Sequence, residues 1–430
     1  MSKVLYWPTA RLGSLAAPGK HSIVGGPFGS DLVSSDYTPD GVPVVRGTNL
    51  PAGKLFSYEG LVFVSEAKAD QLKINSARPG DLVFTQRGTL GQVGIIPLDS
   101  PFDRYVISQS QMKVTVDPSK ADARYLYYYF VLPSTITYIE NHALQSGVPH
   151  INLGILKRLE VVLPPLLTQK KIAAILTAYD DLIENNKQRI ALLEKMAEEI
   201  YREWFVRLRF PGHEFTRSLK GMPKDWQASR IDDLYRTSSG GTPSRTNPDY
   251  YKGSVPWVTT GELKEAFVFD TDEKISKRAL EASSAKVFPA DTIVMAMYCA
   301  MDQVSILAQD SATNQACCAL LPKRSYVGRA FTYNLVKAVQ KELIGWSHGA
   351  AQQNLSQQLI RRFPIFDPPE KLVAGFCGKT DAMYEQIKQL GRMNLSLLKT
   401  RDLLLGRLIS GKLRVDQLDI QFPPSMREST

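Results

Sequence analysis

Hydrophobic positions along this chain switch from a strand period to a helical one twice. Up to about residue 164 the apolar residues fall in short β-branched and aromatic runs separated by Gly and Pro. VPVV (42–45), LVFV (61–64), DLVFT (81–85) and MKVTV (112–116) are examples, and such runs predict strands joined by turns. A longer stretch among them, ADARYLYYYFVLPSTITYI (121–139), predicts a helix. After Pro164-Pro165 the period becomes helical: Ile172, Leu176, Tyr179, Ile183, Asn186, Ile190, Leu193, Ala197, Ile200 and Trp204 follow spacings of four and three in strict alternation. The strand-like pattern then returns with VPWV (255–258), FVF (267–269) and TIVMAMY (292–298). A second seam of Met383, Ile387, Leu390, Asn394, Leu397, Arg401, Leu404 and Leu408 follows Pro368-Pro369.

A seam of alternating four and three is the period of helices that pack along their length. Asn186 is a polar residue on it, a device that fixes register. The second helix is less regular, because Gly391 and Gly406 each cost about 1 kcal/mol relative to Ala. Two matching seams predict an antiparallel helix pair holding the strand-rich domains apart at opposite ends.

The recurrence is an internal repeat. GVPVVRGTNL (41–50) faces SVPWVTTGEL (254–263), with the Val-Pro pairs offset by 213 residues. DLVF at 81 faces DTIV at 291, an offset of 210, and QVGI at 92 faces QVSI at 303, an offset of 211. Asn152-Leu153 faces Asn354-Leu355 at 202, and the Pro-Pro pairs at 164 and 368 stand 204 apart. LGILKRLEVVLPPLLTQ (153–169) and LSQQLIRRFPIFDPPEKL (355–372) share one layout: a short basic-apolar strand, two prolines, the start of a helix. Five weak matches in one order with slowly drifting offsets mean two diverged copies of a unit of roughly 200 residues. The expected fold class is α+β: two strand-rich domains in an internal repeat, separated by a pair of long antiparallel coiled-coil-like helices. The boundaries predicted are 1–164 and 210–368 for the strand-rich domains, 165–209 and 369–413 for the helices, and 414–430 for a tail.

At 430 residues the chain is long enough for two or three domains, and 43% hydrophobic with 22% charged is a soluble globular balance. No apolar run approaches the roughly 20 residues that span a bilayer, and MSKVLYWPTARLGSL lacks the apolar stretch of a secretory signal. Four cysteines (Cys299, Cys317, Cys318, Cys377) show no CxxC pairing, so neither a disulfide framework nor a zinc site is expected, and the cytoplasm is the natural compartment. Lys plus Arg total 52 against 43 acidic residues, a net +9 that favours a polyanion partner such as nucleic acid.

Three patterns imitate catalytic motifs. Asp367-Pro368-Pro369-Glu370 resembles the D/N-P-P-aromatic tetrapeptide of amino-methyltransferases, but Glu has no π-face to stack on a flipped base. No Gly-rich loop for S-adenosylmethionine accompanies it. Asp249, Glu262 and Lys264 fit a loose PD…ExK nuclease pattern, in which carboxylates hold Mg²⁺ and Lys polarises water. Its Glu262 stands opposite Asn49 of the first copy. The five histidines (His21, His142, His150, His213, His348) form no HxxxH or HExxH, and no serine sits in GxSxG. A non-catalytic chain is expected.

SSGGTPSRTNPDYYKGSVPWVTTGELKE with DTIVMAM, and QSGVPHINLGILKRLEVVLPPLLTQKKIAAIL…EIYREWF, closely resemble the DNA specificity subunit of type I restriction-modification systems over nearly the whole chain. The first copy departs from the pattern, with SIVGGPFGSDL where the second has GGTPS. The resemblance implies two target recognition domains, each reading one half of a split, asymmetric site in double-stranded DNA. It implies two methyltransferase (modification) subunits docked on the helices, and motor-nuclease restriction subunits joined through the complex. The S-adenosylmethionine would lie in the methyltransferase subunits, with no cofactor or metal on this chain. A stand-alone bipartite DNA-binding regulator is the rival reading, and a metal-dependent nuclease the more distant one.

Base-edge readout needs side chains with paired donors and acceptors, chiefly Arg for G and Asn or Gln for A. Candidates in the first copy are Arg46, Thr48 and Asn49, then Gln86, Arg87 and Thr89, then Gln109 and Ser110 beside Ser108. In the second they are Thr259, Thr260 and Lys264 beside Glu262, then Tyr298, then Asn314 and Gln315. Tyr201, Trp204 and Phe205, three large aromatics within five residues, are candidates for a partner interface.

Overall fold

A computed structural model describes residues 7–144, 148–219, 221–298, 300–346 and 354–426; Cys299 and His348 lie outside the described residues. The chain divides into two compact units, Met1–Glu184 with Leu397–Thr430 (unit 1) and Asn185–Ser396 (unit 2).

In unit 1, VPVV forms the strand Val42–Val45, antiparallel to Val62–Val64 and parallel to Tyr105–Ile107. A second sheet has the order Ile23–Gly25, Gln111–Val114, Leu82–Thr85, Val93–Ile95. A ribbon pairs Thr9–Arg11 with Glu160–Val162. Unit 2 repeats each pairing. VPWV forms Val255–Val258, antiparallel to Lys274–Ile275 and parallel to Ser311–Thr313. Tyr235–Ser239, Cys317–Pro322, Ile293–Ala296 and Val304–Leu307 make the second sheet, with Phe267–Val268 added at its edge. Gln227–Arg230 pairs with Pro364–Asp367. The fold is α+β, and every pairing named for unit 1 recurs in unit 2.

Hydrogen bonding corrects two of the sequence matches. Asp81 accepts the amide of Ile96, and Thr292 accepts that of Leu307. Asp81 therefore matches Thr292, not Asp291, and the true offset is 211, as for QVGI and QVSI. A slip of one residue would have exchanged the two faces of the strand. The side chain of Asn152 caps the helix Leu153–Arg158, and that of Ser356 caps Gln357–Arg362. Asn152 thus matches Ser356 rather than Asn354. Either residue accepts the free amides of a first turn, so the role persists while the residue type changes. The basic stretch after each cap is a short helix, and only Glu160–Val162 and Pro364–Asp367 remain strand. The single helix expected over 121–139 is two, Ala123–Phe130 and Pro133–Asn141. Pro133 has no amide hydrogen to continue the first, and it begins the second.

Two long helices follow the Pro-Pro pairs, Leu166–Tyr201 and Glu370–Ile409, and each contributes one part to either unit. Every seam residue named above is buried or half-buried. In unit 1 Asp180 meets Arg401 at 2.6 Å while Thr168 meets Asp416 at 3.0 Å, so the segments run antiparallel. In unit 2 Asn186 donates to Asn394 at 2.9 Å, and Tyr201 packs edge-on against Phe376 with centroids 5.8 Å apart, again antiparallel. The polar seam residues are therefore partnered across the pair. Gly391 is required where it stands: a Cβ there would lie 2.4 Å from the ring of Phe269. Nothing in the structure explains Gly406, whose missing side chain would meet open space.

The segment after the second helix folds back on unit 1. Val415 is buried, Lys171 donates to the carbonyl of Asp416 at 2.8 Å, and Ser425 donates to Asp181 at 2.6 Å. Among the described residues no helix is long and apolar enough to cross a membrane.

The Asp180 carboxylate takes hydrogen bonds from both Arg401 and Tyr128 at 2.6 Å, and burial pushes its pKa up despite them. Removing the cation alone leaves that charge partly buried and uncompensated. Arg401→Met should cost roughly 2 to 3 kcal/mol, and Asp180→Leu with Arg401→Met should recover most of it. Denaturant unfolding of the three proteins checks this; equal losses in the single and double variants would contradict it.

Candidate nucleic-acid interface

Strand direction brings the polar loops together. Val42–Val45 and Tyr105–Ile107 are parallel, with Val45 opposite Ile107, so the turns at Arg46–Asn49 and Ser108–Ser110 leave the same edge. The chain then enters Gln111–Val114, whose Gln111 lies opposite Thr85 of an antiparallel neighbour. That places Gln86–Thr89 at the same end, where the amide of Gln86 donates to the carbonyl of Ser110 at 2.7 Å.

The three loops enclose a cleft of about 530 Å³. Arg46, Thr48, Arg87, Thr89, Gln109 and Ser110 line it, as do Ser108, Leu32, Gly47 and four polar residues not foreseen: Tyr37, Thr85, Gln92 and Gln111. No Asp or Glu lines it. Thr85 donates to Gln92 at 3.1 Å, fixing one wall. The sequence held a signal for these two, since both stand at the ends of strands that bound a candidate loop. Arg87 is exposed, and among the described residues its guanidinium meets no carboxylate. Arg46 is partly engaged, donating through Nη2 to the carbonyl of Gly60 at 2.6 Å, while its buried Nε has no acceptor. A buried donor without a partner costs about 1 to 3 kcal/mol, which an acceptor on a ligand would relieve.

Unit 2 assembles the matching loops by the same pairing. Val258 lies opposite Thr313 in parallel strands, and Ala296 opposite Cys317 in antiparallel ones. The amide of Asn314 donates to Val258 at 2.9 Å, and that of Met297 to Ala316 at 2.8 Å. Thr259–Lys264, Tyr298 and Asn314–Gln315 thereby share one edge. Lys264 and Gln315 are exposed, Thr259, Thr260 and Asn314 half-buried, and Tyr298 packs partly against the core.

Close approach explains the glycines before these loops. A Cβ on Gly26 would fall 1.9 Å from the carbonyl oxygen of Ser108, and one on Gly240 1.8 Å from that of Thr313. SIVGGPFGSDL and SSGGTPS, which differ in sequence, thus each place a glycine against the end of the parallel strand, at Ser108 just past Ile107 in one and at Thr313, its last residue, in the other. Gln109 then clips its loop by donating to the carbonyls of Gly29 and Leu32, and Gln315 accepts from Thr242 of the other.

Several candidates have other work. Asn49 is fully buried: its Oδ1 accepts the amide of Arg46, and its Nδ2 donates to the carbonyls of Ser57 and Glu59. No part of that amide is left for a base, so Asn49 builds the turn and does not read. Glu262 holds the matching turn, accepting the amides of Thr259 and Asp272. Gln86 does not line the cleft; its contribution is main-chain. Tyr201 and Trp204 are buried in the core of unit 2 against Phe376, and Phe205 packs on Phe331 at 5.1 Å and Trp226 at 6.0 Å. The aromatic excess at the helix end belongs to that core. It is not a free partner surface.

The catalytic imitations dissolve in the same way. Asp249 is ion-paired with Lys252 at 2.9 Å, Glu262 caps its turn, and Asp367 pairs with Arg324 at 2.7 Å at the end of a strand. Burial pushes the Cys317 and Cys318 thiols up to about 12, far from a nucleophilic thiolate. Among the described residues no group of His, Cys, Asp or Glu could hold a metal ion.

What remains is a pair of donor-rich loop clusters on a basic chain. The family model for the type I restriction modification DNA specificity domain matches residues 39–195 and again 223–372. The chain belongs to that family, and is a sequence-specific DNA-recognition subunit. It is 25% identical over 375 residues to the type I restriction enzyme MjaIX specificity subunit of Methanocaldococcus jannaschii, covering 83% of this chain and 82% of that one. It is 23% identical to the HindI specificity subunit of Haemophilus influenzae, over 78% of this chain and 87% of the relative. The crystal structure of a type I restriction-modification S subunit from M. genitalium shares the fold, with a TM-score of 0.60 at 17% identity over 95% of this chain and 97% of that one.

Proposed function

We propose that this chain reads a bipartite, asymmetric site in double-stranded DNA, one half-site per unit, and directs two methyltransferase subunits to it. The observation that carries the reading is the acid-free cleft of unit 1, where Arg87 stands free among hydroxyl and amide side chains. Arg presents a bidentate fork to the O6 and N7 of G, and Gln can pair with A. Different loops in unit 2, with Lys264, Thr260 and Gln315, make the second half-site different from the first. The readers in this account are Arg46, Thr48, Arg87, Thr89, Gln109 and Ser110 in unit 1, and Thr259, Thr260, Lys264, Tyr298, Asn314 and Gln315 in unit 2.

The chain itself does no chemistry in this reading. S-adenosylmethionine belongs to the methyltransferase subunits, restriction subunits join through them, and the complex works in the cytoplasm. The candidate docking face is the outer side of the helices: Leu192 is 61% and Met196 53% exposed in unit 2, four residues apart on one stripe, and Leu167 is 61% exposed in unit 1. Such apolar side chains on an otherwise polar helix face favour a partner helix or surface.

Arg87→Ala should relax one base of one half-site by about 1 to 3 kcal/mol of discrimination and leave the other half-site intact. Sequencing the methylated motif in cells carrying the variant with its methyltransferase reads this out. A uniform loss on all sequences would make Arg87 a phosphate contact and would remove the main support for the reading. Leu192→Glu with Met196→Glu should release a methyltransferase subunit, so that the co-purified ratio falls from two per chain, while stability is nearly unchanged because both side chains are exposed. Retention of two would place the docking surface elsewhere.

A further inference from the structure

Phe28 stands at the turn of the loop following Gly26 in unit 1 and is 86% exposed. Single exposed apolar residues are common on proteins and need no explanation by themselves. Two observations set this one apart. The loop is fixed: the amide of Asp31 donates to the carbonyl of Phe28 at 2.9 Å, and the side chain of Gln109 donates to the carbonyls of Gly29 and Leu32, both just after the ring. Leu32 and Gln109 both line the cleft that holds Arg46 and Arg87, so the ring is carried at the rim of the reading site. The second observation is an internal control. Unit 2 builds the corresponding loop on Gly240 and has polar Thr242 in place of Phe28, its hydroxyl donating to Gln315. The loop therefore forms without an aromatic.

Resting on the DNA-reading function above, we propose that Phe28 is a wedge that enters a base-pair step at the edge of the half-site read by unit 1. An apolar side chain pushed into a step partly unstacks it and kinks the duplex, and the ring regains contact with the exposed base faces. A fixed loop holds the ring ready for insertion, so little freedom is lost on binding. The wedge adds selection for steps that unstack easily, pyrimidine followed by purine, at a position where no hydrogen bond reads a base. Unit 2, with Thr242, has no such preference, and the two half-sites differ in mechanism as well as in sequence.

The test uses the full chain expressed with its methyltransferase subunit, and a duplex recovered by selection from a randomised pool. Arg87→Ala identifies the half-site of unit 1, and 2-aminopurine is then placed in turn at each step around both half-sites. Binding should raise its fluorescence at one step beside the first half-site and at none beside the second. Phe28→Ala should abolish the rise and weaken binding by roughly five- to a hundredfold, the range found when a base-stacking aromatic is removed. Phe28→Leu should keep most of the rise, because leucine also serves as a wedge. A mismatch at that step should tighten binding of the unaltered chain and make no difference to Phe28→Ala. Because the ring is exposed, the thermal midpoint of Phe28→Ala should stay unchanged. Flat fluorescence on a selected duplex, or an equal rise with Phe28→Ala, sinks the wedge alone; a pool that yields no selected sequence overturns the DNA reading and the wedge together.

Discussion

Two strands that run parallel must end at the same edge of their sheet, and in this protein that constraint decides where the polar loops go. Val42–Val45 with Tyr105–Ile107 in unit 1, and Val255–Val258 with Ser311–Thr313 in unit 2, are each parallel within sheets that are otherwise antiparallel. Had either strand been reversed, its loop would have left the opposite edge. The antiparallel partners that follow, Gln111–Val114 and Cys317–Pro322, then carry the third loop to the same place through Leu82–Thr85 and Ile293–Ala296. Three loops far apart in sequence converge because the backbone pairing leaves them no other position. Their side chains are free to diverge between the copies, since the fold is held by Gly26 and Gly240 at the crossings and by Asn49 and Glu262 inside the turns.

The long helices rest on a different balance. Their seams are apolar except where Asn186 meets Asn394 and Asp180 meets Arg401. Apolar contacts tolerate sliding, whereas a buried amide or carboxylate is satisfied only opposite its own partner. These pairs therefore specify the alignment of the helix segments within each unit, and they do so at some cost in stability relative to an apolar seam.

Much of this was legible before the structure. The strands at VPVV, DLVFT, VPWV and TIVMAMY, and both helical seams, follow from periodicity, because burial on one face leaves a regular trace. The repeat survived divergence because each copy must fill the same register. What sequence alone misplaced has physical causes. The match of Asp81 to Asp291 was drawn by residue identity, while the hydrogen bonds follow position. Asn354 looked like Asn152, but the cap is Ser356, since capping asks only for a side-chain acceptor. Asn49 had the right chemistry for adenine and spends it on its own turn, and Tyr201 and Trp204 had the look of an interface and fill a core; tertiary contacts of that kind leave no local signal. Arg87, Thr89, Gln109 and Ser110, which line the cleft, are legible as polar residues in the loops; Gln92, just before Val93–Ile95, and Gln111, the first residue of Gln111–Val114, stand next to those loops at the strand ends and carry the same local signal.

Two separate reading sites in one chain should leave a two-part signature in the sequences that the protein enriches from a randomised duplex pool. Sequencing the bound fraction of the full chain with its methyltransferase should give two short conserved blocks of different sequence, separated by a gap of fixed length and no base preference. A single contiguous block, or a bound fraction no different from the starting pool, would contradict it.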